Sequence, residues 1–447
     1  MTHVCRSWRN VLLSIPSLWT QIDFSTSGPK QAKGFLRGSG EQPLDVYQVL
    51  EDKQDIEPFL STTLHNIHRL QRLEIVSFLP NLEPVLARST KPASELKHLV
   101  ISNHLDSTGR DMEFRGVIFE GRLPKLISLS LCWLRTDLRA FSFPSLTRFN
   151  FTTGTNISVH DLISFFERSP LLEYIDIFIC DEPRASTPPR TKRVLLAALK
   201  GLDFEDSTYT YNILDYLILP KCAEVVLAGL FTGAEFDDHG HPATRIHPSS
   251  IDHLPVSRGI TTVIAMPNSF ILSGPGGNLR CSKGDREDFD AGFFTSFSPI
   301  SVSEIRELLV GWIKSYHNNL RLWKQTAAGI RGAFGVLAKV EDLTIVNCET
   351  EPFFSTLGAT VDDGVLLPGL RKLTIYTGCG DLDVLVLIQC AKARKEHSRP
   401  IGEVLVVFEN GPGADLVEGV ESLRAFVGEL IYRVGEAPEM SYRADVM

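Results

Sequence analysis

The sequence predicts an α/β fold in which small strand-and-helix repeats stack on one another. Three observations predict it: a recurrent six-residue apolar pattern, a spacing of 20 to 31 residues between successive copies within each of two blocks, and helical segments between them. A unit of this size cannot bury its own apolar face, so neighbouring units must stack to form one continuous core.

The strand of each repeat is marked by the pattern apolar-x-x-apolar-x-apolar. The last two apolar residues are two positions apart, so both face the core from one side of a short strand. The first apolar residue closes the turn that leads into the strand. Nine copies are present: Leu70/Leu73/Ile75, Leu96/Leu99/Ile101, Leu126/Leu129/Leu131, Leu146/Phe149/Phe151, Leu172/Ile175/Ile177, Leu199/Leu202/Phe204, Val340/Leu343/Ile345, Leu370/Leu373/Ile375 and Ile401/Val404/Val406.

The residue between the two strand-forming apolar positions is expected to face outward and to line a recognition wall. The candidate target-binding residues at this position are Glu74, Ser130, Asn150, Asp176, Asp203, Thr344 and Thr374. Their polar and acidic character favours a protein partner with a basic patch. The alternative, that these side chains are only solvated, stays open on the sequence.

Helical periodicity occupies the segments between the strand patterns. His160 to Arg168 places Leu162, Phe165 and Phe166 on one face, before the helix-breaking Ser169-Pro170 pair. Ser301 and Glu304 form a capping box that predicts a further helix, and the last helix is expected to cap the open end of the stack. The other predicted helices cover residues 212–219, 301–324, 381–392 and 415–434.

The apolar pattern weakens in the middle of the chain, where Cys222/Val225/Leu227 and Ile260/Val263/Ala265 are degenerate copies. The Gly-rich, charged residues 273–290 are predicted to form an exposed loop. We expect one repeat array over residues 63–434 with an irregular insertion near 232–300, followed by a tail at 435–447. A break into two domains near 235–300 is the alternative.

The first 24 residues have a different character, with apolar residues at helical spacing up to Pro16 and a tryptophan-containing turn after it. This segment resembles the closing half of an F-box, whose pattern runs V-C-x-x-W-R-x-[ILV]-[AV]-x-x-x-P-x-L-W-x-x-[IL]. The resemblance implies a partner-binding role for Val4, Cys5, Trp8, Val11, Leu12, Pro16, Leu18 and Trp19. Residues 25–62 are expected to be a connector or first capping segment.

The rest of the chain is similar to the fungal, basidiomycete-type F-box proteins with degenerate leucine-rich repeats. The phrases SPLLEYI at 169–175, LPKL at 123–126 and LILP at 217–220 carry this similarity. It implies an irregular leucine-rich-repeat solenoid, with strands on one side and helices or loops on the other, preceded by a short α-helical F-box remnant.

The family's role would make the chain a substrate adaptor. In such proteins the F-box binds the Skp-family linker of a cullin–RING ubiquitin ligase, and the repeats hold the target protein. The L-P-x-E-[IL] helix that opens an F-box has no counterpart before Met1 in this sequence. The alternative function is therefore a repeat scaffold that binds a protein without the ligase.

Composition excludes several other classes of function. Hydrophobic residues make up 43% of the 447 residues and charged residues 22%, as in typical globular proteins. The net charge of −9 argues against nucleic-acid and anionic-membrane partners, which require a basic face. The sequence contains no apolar run of membrane-spanning length and no signal-peptide core. Together with eight cysteines that form no CxxC pair, this predicts a cytoplasmic and/or nuclear protein with free thiols.

No motif of the sequence supports catalysis, and we expect no catalytic residue, metal or cofactor. The Asp237-Asp238-His239-Gly240-His241 run matches no metal-ligand spacing. Gly274-Pro275-Gly276-Gly277 is predicted to be a turn, because it lacks the phosphate-loop lysine and Pro275 has no N–H to donate. Nucleophile-elbow and zinc-protease motifs are also absent from the sequence.

Overall fold

The computed structural model describes residues 6–51, 56–79, 88, 91–104, 112–114, 118–121, 123–153, 157–179, 193–205, 213–227, 254–266, 269–282, 304–311, 327–361, 364–377, 382–409 and 414–435. The chain divides into two compact units, residues 1–222 and 223–447. Both are α/β with mostly parallel strands. No helix of the described residues is both long enough and apolar enough to cross a membrane.

The first unit begins with helices and continues as a series of short strands. Its helices are α1 (Arg6–Leu13), α2 (Phe24–Gly38), α3 (Ile56–His65) and α4 (Val159–Glu167), with 3-10 turns at Pro16–Trp19, Ile67–Arg69, Ile118–Gly121 and Leu138–Ala140. Its strands are β1 (Gln21–Asp23), β2 (Leu44–Leu50), β3 (Leu70–Ser77), β4 (His98–Asn103), β5 (Met112–Phe114), β6 (Ser128–Cys132), β7 (Leu134–Thr136), β8 (Arg148–Thr153), β9 (Tyr174–Ile179), β10 (Val194–Leu195), β11 (Gly201–Glu205) and β12 (Leu217–Ile218).

The main sheet of the first unit places β1, β2, β3, β4, β6, β8, β9 and β11 side by side in that order, each parallel to the next. The small pairs β5–β7 and β10–β12 are also parallel. Because successive strands of the main sheet follow chain order, each repeat lies beside the repeat that precedes it.

Among its described residues the second unit contains mostly parallel strands together with three antiparallel pairs. Its strands are β13 (Glu224–Leu227), β14 (Thr262–Met266), β15 (Ser269–Gly274), β16 (Gly277–Ser282), β17 (Glu307–Gly311), β18 (Asp342–Val346), β19 (Thr360–Val361), β20 (Gly364–Val365), β21 (Lys372–Thr377), β22 (Glu403–Phe408) and β23 (Glu429–Val434). Its helices are α5 (Ala327–Val336), α6 (Glu351–Gly358), α7 (Val384–Glu396) and α8 (Ala414–Glu421), with 3-10 turns at Pro255–Ser257 and Ser422–Ala425.

In this unit β14, β17, β18, β21, β22 and β23 are successive parallel neighbours. On the other side of β14, strand β15 pairs antiparallel with it and with β16, and β16 lies parallel to β13. Strands β15 and β16 therefore separate the degenerate copy in β13 from the degenerate copy in β14, where the parallel series starts.

The predicted apolar ladder is confirmed in both units. Leu73, Leu99, Leu129, Phe149, Ile175 and Leu202 are directly aligned across adjacent strands of the first unit. Val263, Leu308, Leu343, Leu373, Val404 and Leu430 are aligned in the same way in the second. All three apolar positions of all nine predicted copies are buried, as are those of the two degenerate copies.

Buried arginines connect neighbouring repeats through backbone carbonyl groups. Arg394 of α7 is fully buried and donates to the carbonyl oxygens of Leu366 (2.7 Å) and Leu367 (2.8 Å), 28 and 27 residues earlier. Leu367 has a left-handed backbone at φ 47°, which these bonds hold in place. Arg69 acts similarly in the first unit, donating to the carbonyl oxygens of Gly40 and Gln42.

Several predicted secondary structures are confirmed and others are wrong. Helices α4 and α7 confirm the predictions at 160–168 and 381–392. The helix predicted over 212–219 is wrong at Leu217–Ile218, which form strand β12. The predicted terminal helix at 415–434 ends at Glu421 and strand β23 forms its last part, where Gly428 approaches the Gly402 carbonyl so closely that a Cβ would lie 2.4 Å from its oxygen.

The most informative error concerns the helix predicted over residues 301–324. Among the described residues of that stretch, Glu307–Gly311 form strand β17 instead. Ile305, Leu308 and Val310 are buried and form a further copy of the apolar pattern. The i, i+3 spacing is shared by a helix and by this pattern, and the apparent capping box favoured the helix.

The loop predicted at 273–290 is also wrong over its first ten residues. Residues 273–282 complete the β15–β16 hairpin, and Leu279 and Cys281 are buried. Pro275 and Gly276 form the two-residue connection, which confirms the turn predicted at 274–277. Residues 283–290 lie outside the described residues.

Candidate protein-recognition surfaces

An apolar surface at the N-terminus is formed by α1 and the 3-10 turn that follows it. Trp8 is 61% exposed and Leu18 is 54% exposed. Exposed large apolar side chains that form a contiguous patch are typical of a protein-binding site. The N-terminal apolar surface comprises these two residues and the exposed Val11 and Ile15, whereas Leu13 is exposed on another side of α1.

The N-terminal apolar surface is held in place by Trp19. Its indole N–H donates to the Leu12 carbonyl oxygen (2.9 Å), which ties the turn to the end of α1. Its ring lies 5.4 Å from that of Phe35 on α2. Gly38 permits this packing, because a Cβ there would lie 2.7 Å from the Trp19 ring. Trp19 therefore positions the surface through contacts within the chain.

The other residues of the predicted F-box remnant differ in accessibility. Pro16 is exposed and Leu12 is half-buried, so both border the N-terminal apolar surface. Val4 and Cys5 lie outside the described residues. Trp8, Val11, Pro16 and Leu18 are thus accessible, whereas Leu12 and Trp19 are half-buried and are joined by the indole hydrogen bond.

The outward column of the first unit is the series of strand positions between the two buried apolar residues. In strand order it comprises Tyr47, Glu74, Val100, Ser130, Asn150, Asp176 and Asp203. The predicted target-binding residues of this unit therefore lie on consecutive or near-consecutive strands of one face, and all are half-buried.

Hydrogen bonds connect the middle of this column. The Asn150 side-chain amide donates to Asp176 Oδ2 (2.7 Å), and the Ser130 hydroxyl donates to Asn150 Oδ1 (3.5 Å). Glu74 instead accepts from Arg72 on its own strand (3.1 Å). The short bond to a carboxylate fixes the orientation of the Asn150 amide, so this part of the face is preorganised.

The outward column of the second unit has a different composition. In strand order it comprises Ile264, Leu309, Thr344, Thr374, Leu405 and Ile431. Thr344 is half-buried. Thr374 is only 6% exposed, so its predicted role as an accessible target-binding residue is not supported by its position. Outward direction on a strand does not guarantee access to solvent.

A second outward column lies two residues earlier on each strand, and sequence reasoning missed it. In the first unit it runs through Asp45, Arg72, His98, Ser128, Arg148 and Tyr174, and Arg148 lies 5.3 Å above the Tyr174 ring. In the second unit it contains Glu307, Asp342, Lys372, Glu403 and Glu429. These residues occupy an x position of the same apolar pattern, so the signal was available in the sequence.

This second outward column, which we call the strand-start column, has a different electrostatic setting in each unit, and the pKa shifts of one residue in each show the difference. The pKa of His98 is lowered by partial removal from water and by the positive charge of Arg72, although Asp45 opposes the shift. The pKa of Asp342 is raised by burial and by the negative charge of Glu307, although Lys372 opposes the shift. The first column is thus basic in character and the second acidic.

The cysteines of the described residues are placed for packing rather than for nucleophilic chemistry. Cys222, Cys281, Cys348 and Cys390 are buried, and Cys132 is half-buried. Burial raises the pKa of Cys348 and of Cys390 to about 12, and that of Cys281 further. Such thiols remain protonated at neutral pH.

Within the part of the chain that the structure describes, no group of three or more His, Cys, Asp and Glu side chains is arranged to hold a metal ion. The acidic and histidine-containing run at 237–241 lies outside the described residues. The described geometry comprises an apolar surface at the N-terminus and two columns of outward side chains in each unit.

Comparisons with known proteins gave no match from which a function could be inferred. No protein-family model matches the chain. No curated protein matches it either.

Proposed function

We propose that the chain is a non-catalytic recognition protein that acts as a substrate adaptor of a Skp–cullin–F-box ubiquitin ligase. In this proposal the N-terminal apolar surface binds the Skp-family linker, and the outward columns of an irregular leucine-rich-repeat solenoid hold the target protein. The role requires the compartment of the ligase, in the cytoplasm and/or nucleus.

The observation that carries the proposal is the exposure of apolar side chains at the positions that match the F-box pattern. Trp8, Val11 and Leu18 match that pattern and are exposed. Fully burying an exposed large apolar side chain is favourable by roughly 1.5–3 kcal/mol, and covering these half-exposed side chains would yield a corresponding fraction of that free energy. A partner that covers them recovers this free energy, and Trp19 limits the ordering cost by fixing the turn in advance.

The solenoid part of the proposal is supported by the register of the strands. Successive repeats align inward residue on inward residue, as with Leu129, Phe149 and Ile175. Contacts between repeats also span one repeat length, as in the ion pairs Lys125–Glu95 (2.7 Å) and Lys200–Glu173 (2.7 Å). Stacked repeats of this kind bury one face and leave the other for binding.

The target proposed for the first unit is a protein segment with basic and hydrogen-bonding side chains. Asp176 and Asp203 supply carboxylates on neighbouring strands, and Ser130 and Asn150 supply a hydroxyl and an amide. Complementary charge at such a face sets specificity and association rate more than affinity. No catalytic residue is required by this function.

The test is titration calorimetry of the full chain with a purified Skp-family linker. Leu18→Asp introduces a charge at the centre of the N-terminal apolar surface and is expected to weaken binding by roughly 30-fold or more, as for a central interface residue. Trp8→Ala is expected to act in the same direction.

A matched control is Leu195→Asp, because Leu195 is 56% exposed and lies on β10, away from α1 in sequence. It should bind the linker like the unmodified protein. If the unmodified protein never binds the linker, the ligase role is wrong and the ligase-independent scaffold replaces it. If Leu18→Asp and Trp8→Ala bind the linker as tightly as the unmodified protein, the docking site lies elsewhere on the chain.

A further inference from the structure

Strand β23 has one paired side and one side that no strand of the described residues covers. The Glu429 N–H donates to the Gly402 carbonyl (2.7 Å), and the Gly435 N–H donates to the Phe408 carbonyl (3.0 Å). Peptide groups alternate in direction along a strand, so residues 429, 431, 433 and 435 face β22. The N–H and C=O groups of Leu430, Tyr432 and Val434 therefore face the opposite side, which we call the β23 edge.

The β23 edge carries apolar side chains that are open to solvent. Ile431 is 38% exposed and Val434 is 60% exposed, and Tyr432 is exposed as well. Natural sheets usually protect such edges, because an unpaired edge with apolar side chains is a template for another strand. The two charged side chains of the strand, Glu429 and Arg433, are also exposed.

We propose that the β23 edge pairs antiparallel with the β23 edge of a second copy of this chain, forming a symmetric dimer. The register is centred on Ile431, which faces the Ile431 of the other copy. Leu430 then lies opposite Tyr432, and Glu429 lies opposite Arg433. Because the pairing is twofold symmetric, the Glu429–Arg433 charge pair forms twice, once at each end of the strand pair.

Backbone geometry restricts the possible registers and charge selects among them. Only residues whose peptide groups face the β23 edge can exchange hydrogen bonds, so Leu430 must meet Leu430, Tyr432 or Val434. A register centred on Tyr432 places Arg433 opposite Ile431 and leaves Glu429 beyond the strand pair. The register centred on Ile431 instead places opposite charges at directly facing, non-hydrogen-bonded positions, where side chains are closest.

The surroundings of Glu429 favour a cation from outside the chain. Its neighbour on β22 is Glu403, which already pairs with Lys372 (2.9 Å). Glu429 is therefore the last acidic residue of the strand-start column and lies beside the like charge of Glu403. The Arg433 of a second copy would lie on its other side and compensate both carboxylates, as like charges on adjacent strands are unfavourable.

Sedimentation velocity of the full chain at low salt tests this pairing. The unmodified protein is expected to show a concentration-dependent monomer–dimer equilibrium. Glu429→Arg and Arg433→Glu each turn two attractive pairs into two repulsive pairs, and each should raise the dimer dissociation constant by about tenfold or more. The double variant E429R/R433E restores opposite charges and should dimerise like the unmodified protein.

Mixing the two single variants provides the sharpest result. The E429R strand carries positive charges at both positions and the R433E strand carries negative charges at both, so every facing pair in a mixed dimer is attractive. The mixture should therefore dimerise although each variant alone does so poorly. Glu418→Arg on α8 is the matched control, since Glu418 is exposed and outside β23. It should leave the dimer unchanged.

Three outcomes would overturn the proposal. A protein that stays monomeric up to its solubility limit would mean that the β23 edge is unoccupied or is filled by something other than a second copy. Assemblies that grow beyond the dimer would indicate head-to-tail pairing with a different strand. Dimerisation that is unaffected in both single variants would place the interface elsewhere. Binding of the Skp-family linker is not involved, so this test is independent of the proposed function.

Discussion

The two units of the chain share one inward face and differ in the face that they present to solvent. Both align buried aliphatic and aromatic residues strand on strand, such as Ile175 in the first unit and Leu373 in the second. The outward column of the first unit contains amide and carboxylate groups, whereas the second unit has leucine, isoleucine and threonine at the equivalent positions. The inward residues determine the fold, and the outward residues are free to determine what binds.

The strand-start columns differ in the same way. Arg72, His98 and Arg148 make this column basic in the first unit, and acidic residues predominate around Lys372 in the second. A charged partner is therefore expected to bind one strand-start column in preference to the other. Substitutions can test whether the inward positions are equivalent and whether the outward positions are distinct.

The largest effect is expected at inward positions, and it should be similar in both units. Ile175→Ala and Leu373→Ala each remove buried apolar volume from an aligned ladder and should each lower the free energy of unfolding by about 2–5 kcal/mol. Urea unfolding followed by circular dichroism measures this loss. A loss in only one unit would show that the inward ladders are not equivalent.

An intermediate effect is expected at outward positions, and here the units should differ. Asn150→Ala removes the 2.7 Å hydrogen bond to the Asp176 carboxylate and should cost about 1 kcal/mol of unfolding free energy. The equivalent exchange in the second unit, Thr344→Val, should change it by less than about 0.5 kcal/mol. Thermal unfolding measures the loss of stability in both variants. Equal losses would contradict the expected difference between the outward columns of the two units.

The smallest effect is expected from pH, with opposite sign in the two units. The pKa of His98 is lowered, so its stabilising contribution is complete above the unfolded value of 6.5 and is lost as the pH falls through the folded value. The pKa of Asp342 is raised, so its contribution is complete below the unfolded value of 3.8 and is lost as the pH rises through the folded value.

Unfolding free energies of the unmodified protein, His98→Gln and Asp342→Asn over pH 4–8 separate the two contributions. The His98 variant should lose less stability than the unmodified protein as the pH falls below about 6.5. The Asp342 variant should gain stability at neutral pH relative to the unmodified protein. Difference curves (variant minus unmodified protein) that slope in the same direction with pH would contradict the opposite electrostatic settings of the two columns.

The inward ladder could be predicted from the sequence because burial imposes a period of two on every strand. The same reasoning failed at Ile305, Leu308 and Val310, since their first two members also fit one turn of a helix. It failed at 429–434 because the terminal strand depends on close approach between Gly428 and Gly402, a contact distant in sequence.

The candidate site was predictable only in part, because its geometry also depends on contacts between residues that are distant in sequence. The strand pattern identifies Asn150 and Asp176 as outward residues, but it does not reveal the hydrogen bond between them. The F-box resemblance identifies Trp8 and Trp19 as equivalent aromatic residues, whereas packing on α2 separates them into an exposed residue and an anchor. Burial of Thr374 likewise depends on neighbours that the local pattern does not specify.

The central claim is that repeats stack in register and leave one face free, and a distance within the first unit tests it most directly. Glu74 and Asp203 occupy equivalent outward positions five strands apart, through β4, β6, β8, β9 and β11. At about 4.8 Å per strand their backbones should be separated by about 24 Å. Spin labels incorporated as unnatural amino acids at these two positions, measured by double electron–electron resonance, should give one narrow distribution consistent with that separation. A broad distribution, or one centred at more than about twice that separation, would contradict in-register stacking.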